Sequence, residues 1–193
     1  MPFHLPPISR REFLCRSLAA SAGLLTIPAL RAAVSKVDPD HWAIFSDTHV
    51  AGDATMARFD VNMADHLRAA VAGVRALLAP PAGVLVNGDC AFNHGLGEDY
   101  ATFTNLLKPL SEAGLPLHLT LGNHDDRDVF WNALKDARPA VPPLASRQVS
   151  IVEGARANWF LLDSLDIVNK TPGRLGDEPV SYTHLTLPTN REV

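Results

Sequence analysis

Three short polar clusters carry the candidate chemistry of this chain: Asp47-Thr48-His49, Gly88-Asp89 and Gly122-Asn123-His124-Asp125. Carboxylates, imidazole and an amide oxygen suit borderline-to-hard divalent ions, and such a set needs no cysteine. Asp47 and His49 alternate along the chain, so at a strand end they share a face and could clasp one ion. Asp89 has two carboxylate oxygens and could bridge two ions, with Asn123 on the second. Two ions roughly 3.5–4 Å apart can acidify a bridging water and clamp the attacking and leaving oxygens of a phosphoryl group. His124 is then free to act on the leaving oxygen, with Asp125 placed to orient its ring. Taken singly, each cluster has a plainer reading: a helix N-cap, a βα turn, an Asx turn. Their joint occurrence, each after an apolar run, favours one shared site.

The elements that must position these residues are short apolar strands. Trp42 to Phe45, Val84 to Val86 and Leu117 to Leu121 are bounded by turn residues, as buried parallel strands are. Between the first two, Leu67, Ala70, Val71, Val74, Leu77 and Leu78 fall on one helical face, which Pro80-Pro81 should end. A second helix follows Gly97, with Tyr100, Phe103, Leu106, Leu107 and Leu110 inward and Gly114 and Pro116 as its stop. This βαβαβ order predicts an α/β fold with a parallel sheet and right-handed crossovers. Ligands collect beyond the carboxyl ends of such strands, where all three clusters lie.

On these three blocks the chain resembles the calcineurin-like metallophosphoesterase superfamily, whose pattern runs Asp-x-His, Gly-Asp, then Gly-Asn-His-Asp/Glu. The longer run Gly122-Asn123-His124-Asp125-Asp126-Arg127 is similar to the branch of class III cyclic-nucleotide and glycerophosphodiester phosphodiesterases. The resemblance implies a four-layer α/β/β/α sandwich, of which residues 38–179 would form the N-terminal part. It implies two metal ions (Fe, Mn, Zn or Mg), with Asp47, His49 and Asp89 on the first and Asp89 and Asn123 on the second. His124 would stabilise or protonate the leaving oxygen of a phosphate-ester substrate. Where many relatives carry an acidic and a basic residue before glycine, this chain reads Cys90-Ala91-Phe92-Asn93-His94-Gly95; Asn93 and His94 either line the substrate pocket or sit on a solvent-facing loop.

The family also needs a later His and a Gly-His-x-His block, and neither follows Asn123. Val180 to Thr189 resembles a translated transposase-end adapter (GTC TCT TAT ACA CAT CTG ACG CTG CCG ACG), so residues 180–193, with His184, are read as non-native. Gly173-Arg174-Leu175-Gly176-Asp177-Glu178 resembles the family's lead into the helix before the missing histidines. The expectation is therefore the front half of a longer enzyme, with no meaningful turnover as printed. A noncatalytic exported binding protein that keeps the fold is the alternative.

Ser9-Arg10-Arg11-Glu12-Phe13-Leu14 resembles the twin-arginine export motif, and an alanine-rich apolar stretch to Leu30 follows it. Residues 1–33 are read as a signal peptide, which makes the export machinery a partner and the location periplasmic or extracellular. The apolar stretch falls short of the roughly 20 residues of a stable membrane anchor. Removing residues 1–33, with four Arg and one Glu, leaves 13 basic and 20 acidic residues. That balance offers no basic stripe for nucleic acid and no basic amphipathic helix for a membrane surface. Cys90, the one cysteine left, reads as a buried packing thiol. Farther on, Val129 to Leu134 suggests a short helix and Ala140 to Pro143 a loop. Gln148 to Val152 and Trp159 to Leu162 suggest a hairpin. His118, alternating with leucines, reads as a core histidine.

Overall fold

Three parallel strands end in one register row, and that row sets the site. A computed structural model describes residues 36–135 and 144–177. The expected signal peptide, the loop at Ala140 to Pro143 and the adapter-like tail lie outside the described residues. Strands β1 (Asp38–Ser46), β2 (Pro81–Asn87) and β3 (Leu117–Thr120) form a sheet of order β1-β2-β3. Ser46 pairs with Asn87 and Asn87 with Thr120, so the polar clusters leave the sheet side by side.

Helix α1 (Met63–Arg75) connects β1 to β2, α2 (Gly97–Glu112) connects β2 to β3, and α3 (Arg127–Ala133) follows the third cluster. Asn62 caps α1 by accepting from the Asp65 amide, and Asp126 caps α3 by accepting from Val129, each at 3.0 Å. At the end of α2, Gly114 takes a φ of 77° and the Leu115 amide reaches back to Leu110 at 3.1 Å, closing the last turn as a Schellman motif does.

Alternation along β2 divides the core. Val84 and Val86 face Leu67 and Val71 of α1 and Tyr100, Phe103, Leu107 and Leu110 of α2. Leu85 faces the other way, onto Val152 and Leu161 of an antiparallel hairpin, β4 (Ser150–Glu153) and β5 (Asn158–Leu161), with Trp42 and Trp159 beside them. Helices on one face of a parallel sheet and a second sheet on the other make an α/β architecture consistent with a metallophosphoesterase fold.

The first helix differs from its expected extent. It stops at Arg75, leaving Leu77 and Leu78 40% and 94% exposed, and Pro81 is the first residue of β2 rather than a helix stop. Proline disfavours helical geometry in the residue before it, so the helix could not have run past Leu78 into Pro80 whatever the apolar spacing suggests. His118 is half-buried with its ring 6.1 Å from Trp42, and burial lowers its pKa, in keeping with a packed neutral histidine.

Candidate metal centre

Each cluster turns sharply where its strand ends. Asp47, His49 and Asp89 all adopt left-handed backbone (φ 54°, 41° and 48°), an uncommon state for non-glycine residues that collects at functional sites. The turns are locked to each other: the His49 amide donates to Asp89 O at 2.9 Å and the Val50 amide to Cys90 O at 3.1 Å. Gly88, with φ 72°, packs backbone to backbone against Gly122; a Cβ on Gly88 would lie 2.7 Å from the Gly122 nitrogen.

These turns bring His49, Asp89 and His124 together, with one ligand atom of each inside a 4.8 Å group. His49 Nε2 lies 3.7 Å from Asp89 Oδ2 and 4.0 Å from Asp47 Oδ1. Those separations are too long for hydrogen bonds and suit atoms that share an ion between them. Asp47, which also accepts from Ser46 Oγ, is exposed, whereas Asp89 is buried. Asn123 joins Asp47, Asp89 and Lys170 in lining a cleft of about 240 Å³.

The histidine tautomers follow from their partners. His49 Nδ1 faces the carbonyl of Phe92 at 3.3 Å, and His124 Nδ1 faces the carbonyl of Asn93 at 3.0 Å. A carbonyl only accepts, so each Nδ1 must carry the proton, which leaves each Nε2 lone pair free when the ring is neutral. Asp89 Oδ1 accepts from the His124 amide at 2.8 Å, leaving Oδ2 turned toward His49. Both rings and the carboxylate are thus held through atoms they do not need for an ion. A donor set of two carboxylates, an amide and imidazole nitrogens fits the divalent or trivalent ions expected from the sequence.

Asp125 does not orient His124. Its carboxylate is fully buried and accepts from the amides of Gly122 (2.9 Å), Ala91 (3.0 Å) and Cys90 (3.2 Å) and from the Tyr100 hydroxyl (3.1 Å). Neighbouring residues on a turn point their side chains apart, so this carboxylate goes inward and ties the second and third clusters together. Burial raises the pKa of Asp125 and of Tyr100. It also raises that of Cys90, with the charges of Asp125 and Asp89 adding to the effect; the thiol is wholly buried, as the sequence suggested.

Asn93 contributes its carbonyl to His124, and its side chain is half-buried. His94 is exposed and meets Asn169 Nδ2 at 3.2 Å. The Asn169 amide in turn donates to Asn123 O at 2.5 Å, so residues 164–173 cross beside the site. That segment is anchored by Asp163, a buried residue the sequence reading passed over. Asp163 takes a bidentate pair from Arg127 (Nε 2.7 Å, Nη2 3.0 Å) and the amides of Gln148 and Leu165 (2.9 and 3.0 Å). The pairing raises the pKa of Arg127. An acidic residue directly after an apolar strand, as at Asp47 and Asp89, was the available signal for Asp163.

Among the described residues no helix is long and apolar enough to cross a membrane. Comparison with curated proteins gives no match. The family model described as calcineurin-like phosphoesterase matches residues 42–181, which contain all three clusters, and the chain belongs to that family.

Proposed function

We propose that this chain carries the front of a hydrolase of phosphoric mono- or diesters, with Asp47, His49 and Asp89 on one metal ion, Asp89 and Asn123 on a second, and His124 at the leaving oxygen. The observation that carries the reading is the convergence of His49, Asp89 and His124, with His49 Nδ1 held by Phe92 O, His124 Nδ1 by Asn93 O, and His49 Nε2 3.7 Å from Asp89 Oδ2. Bound ions would supply Lewis acidity and acidify a water there. His124 would supply the proton: with Nδ1–H held by the Asn93 carbonyl, a proton carried on Nε2 would pass to the departing alkoxide and leave the neutral ring. Asp125 braces the loops and takes no part in proton transfer. The diesterase branch is favoured by the Gly122 to Arg127 run.

The remaining ligands, in this proposal, belong to a histidine block downstream of Asp177 in the parent gene, and residues 180–193 are adapter-derived. Sequencing the source DNA through the codon for Glu178 tests this, and a gene that continues as printed would contradict it. With the parent protein in hand, Asp89→Asn is expected to lower hydrolysis of a chromogenic phosphodiester by about a thousandfold or more. That follows because the shared ligand would lose a charge while keeping its shape. Retention of wild-type turnover by Asp89→Asn would contradict its role as the shared ligand, and no turnover by the metal-loaded wild type would favour a noncatalytic binding protein instead.

Export through the twin-arginine route is proposed from Arg10 and Arg11. Replacing both with Lys is expected to leave the protein in the cytoplasm, and unchanged secretion would refute that assignment.

A further inference from the structure

Arg58 lines a small crevice with His49 of the metal centre and has no task in the chemistry above. It belongs to a loop that is pinned at its start: the Gly52 amide donates to Asp99 Oδ1, and Thr102 Oγ1 donates to Gly52 O, both at 2.7 Å. At the tip, Arg58 and Val61 exchange backbone hydrogen bonds of 2.9 and 3.0 Å around Phe59 and Asp60, whose φ angles are 52° and 62°. Such a turn ordinarily selects Asn-Gly. Here it holds a phenylalanine 85% exposed in a costly backbone state.

The guanidinium carbon of Arg58 lies 5.2 Å from the centroid of the Phe59 ring and 5.8 Å from that of Phe92. Both distances are in the range of cation–π attraction. Among the described residues no carboxylate forms an ion pair with it. Contacts to ring faces leave the in-plane N–H donors of a guanidinium free for an anion.

Phe92 links this cation to the chemistry. Its carbonyl holds His49, and the next carbonyl, of Asn93, holds His124. Arg58 therefore sits one aromatic ring away from the loop that fixes both histidines, and it lines a small crevice together with His49 and Phe92. We propose that Arg58, steadied by Phe59 and Phe92 beside His49, binds a second anionic group of the substrate and so selects phosphate esters that carry a negative charge besides the phosphoryl group. This rests on the phosphoester-hydrolase reading.

The test is calorimetric binding of two nonhydrolysable phosphonates to the full-length parent protein loaded with Mn²⁺. They are 4-(2-carboxyethyl)benzylphosphonate and 4-propylbenzylphosphonate, which differ in the distal carboxylate. Wild type is expected to bind the carboxylate about tenfold more tightly, the scale of one charge-assisted hydrogen bond. Arg58→Ala is expected to abolish that preference, and Arg58→Lys, which keeps charge and stem but loses the planar fork, to keep part of it. Equal binding of the two phosphonates by wild type, or a preference that survives in Arg58→Ala, overturns the inference alone. If metal binds but neither phosphonate does, the phosphoester reading falls and the inference with it.

Discussion

Gly122→Ala is expected to weaken metal binding by about a hundredfold. A Cβ at this position would overlap Asp89 Oδ1 and lie 2.5 Å from the Asp89 nitrogen and 2.7 Å from its Cγ. The obstruction includes backbone, so no side-chain rotation relieves it. Asp89 is also held in left-handed geometry and hydrogen-bonded to the His124 amide, and it can yield only by moving the whole turn. A displacement of about 1 Å at a positioned group is enough for a loss of about 10²-fold. The matched control is Gly73→Ala in α1, where an added methyl meets nothing within 4 Å. That variant should gain roughly 0.5–1 kcal/mol of stability from helix propensity and keep its metal affinity. Calorimetric titration with Mn²⁺ reads both; unchanged affinity in Gly122→Ala would show that the close approach of the two loops does not set the ligand geometry.

Asp163→Ala should be the most destabilising single change, by about 3–5 kcal/mol, because it strands the Arg127 guanidinium in a half-buried site and leaves the Gln148 and Leu165 amides without their acceptor. In thermal unfolding that corresponds to a fall of about 10 °C or more. The double change Asp163→Leu with Arg127→Met removes both charges and is expected to recover much of the loss, since apolar residues of similar volume often replace a buried pair at little cost. Equal destabilisation by the single and double variants would mean that the amide contacts, not the ion pair, dominate. Arg127 Nη2 and Arg147 Nη1 also donate to Leu165 O, at 2.7 and 2.6 Å. Loosening this anchor should therefore free the segment that reaches Asn123 through Asn169.

The strand ends and the site clusters were legible because parallel strands are short apolar runs and their polar ends stand out against them. The two long helices announced themselves by periodicity. The exception is Leu77-Leu78, where the apolar spacing runs on past the end of the helix at Arg75. Asp125 was misread because a carboxylate beside a histidine in sequence looks like an acid–base pair, whereas on this turn it faces the interior. The carbonyls of Phe92 and Asn93 had no signal at all, since any residue could supply them. The role of Gly122 lies in a distance between two loops that sequence spacing does not encode. Arg58 between aromatic rings depends on a hairpin tip whose residues, Phe59 and Asp60, are not those such a turn usually chooses.

The most direct test is a Mn²⁺ titration of the parent protein, followed by calorimetry, for wild type and Asp89→Asn side by side. Saturable binding by wild type, weakened about a hundredfold or more in Asp89→Asn with the fold retained, is the predicted result. Indistinguishable isotherms for the two proteins, or no binding by the wild-type parent protein, would contradict a metal centre built on Asp47, His49, Asp89 and Asn123.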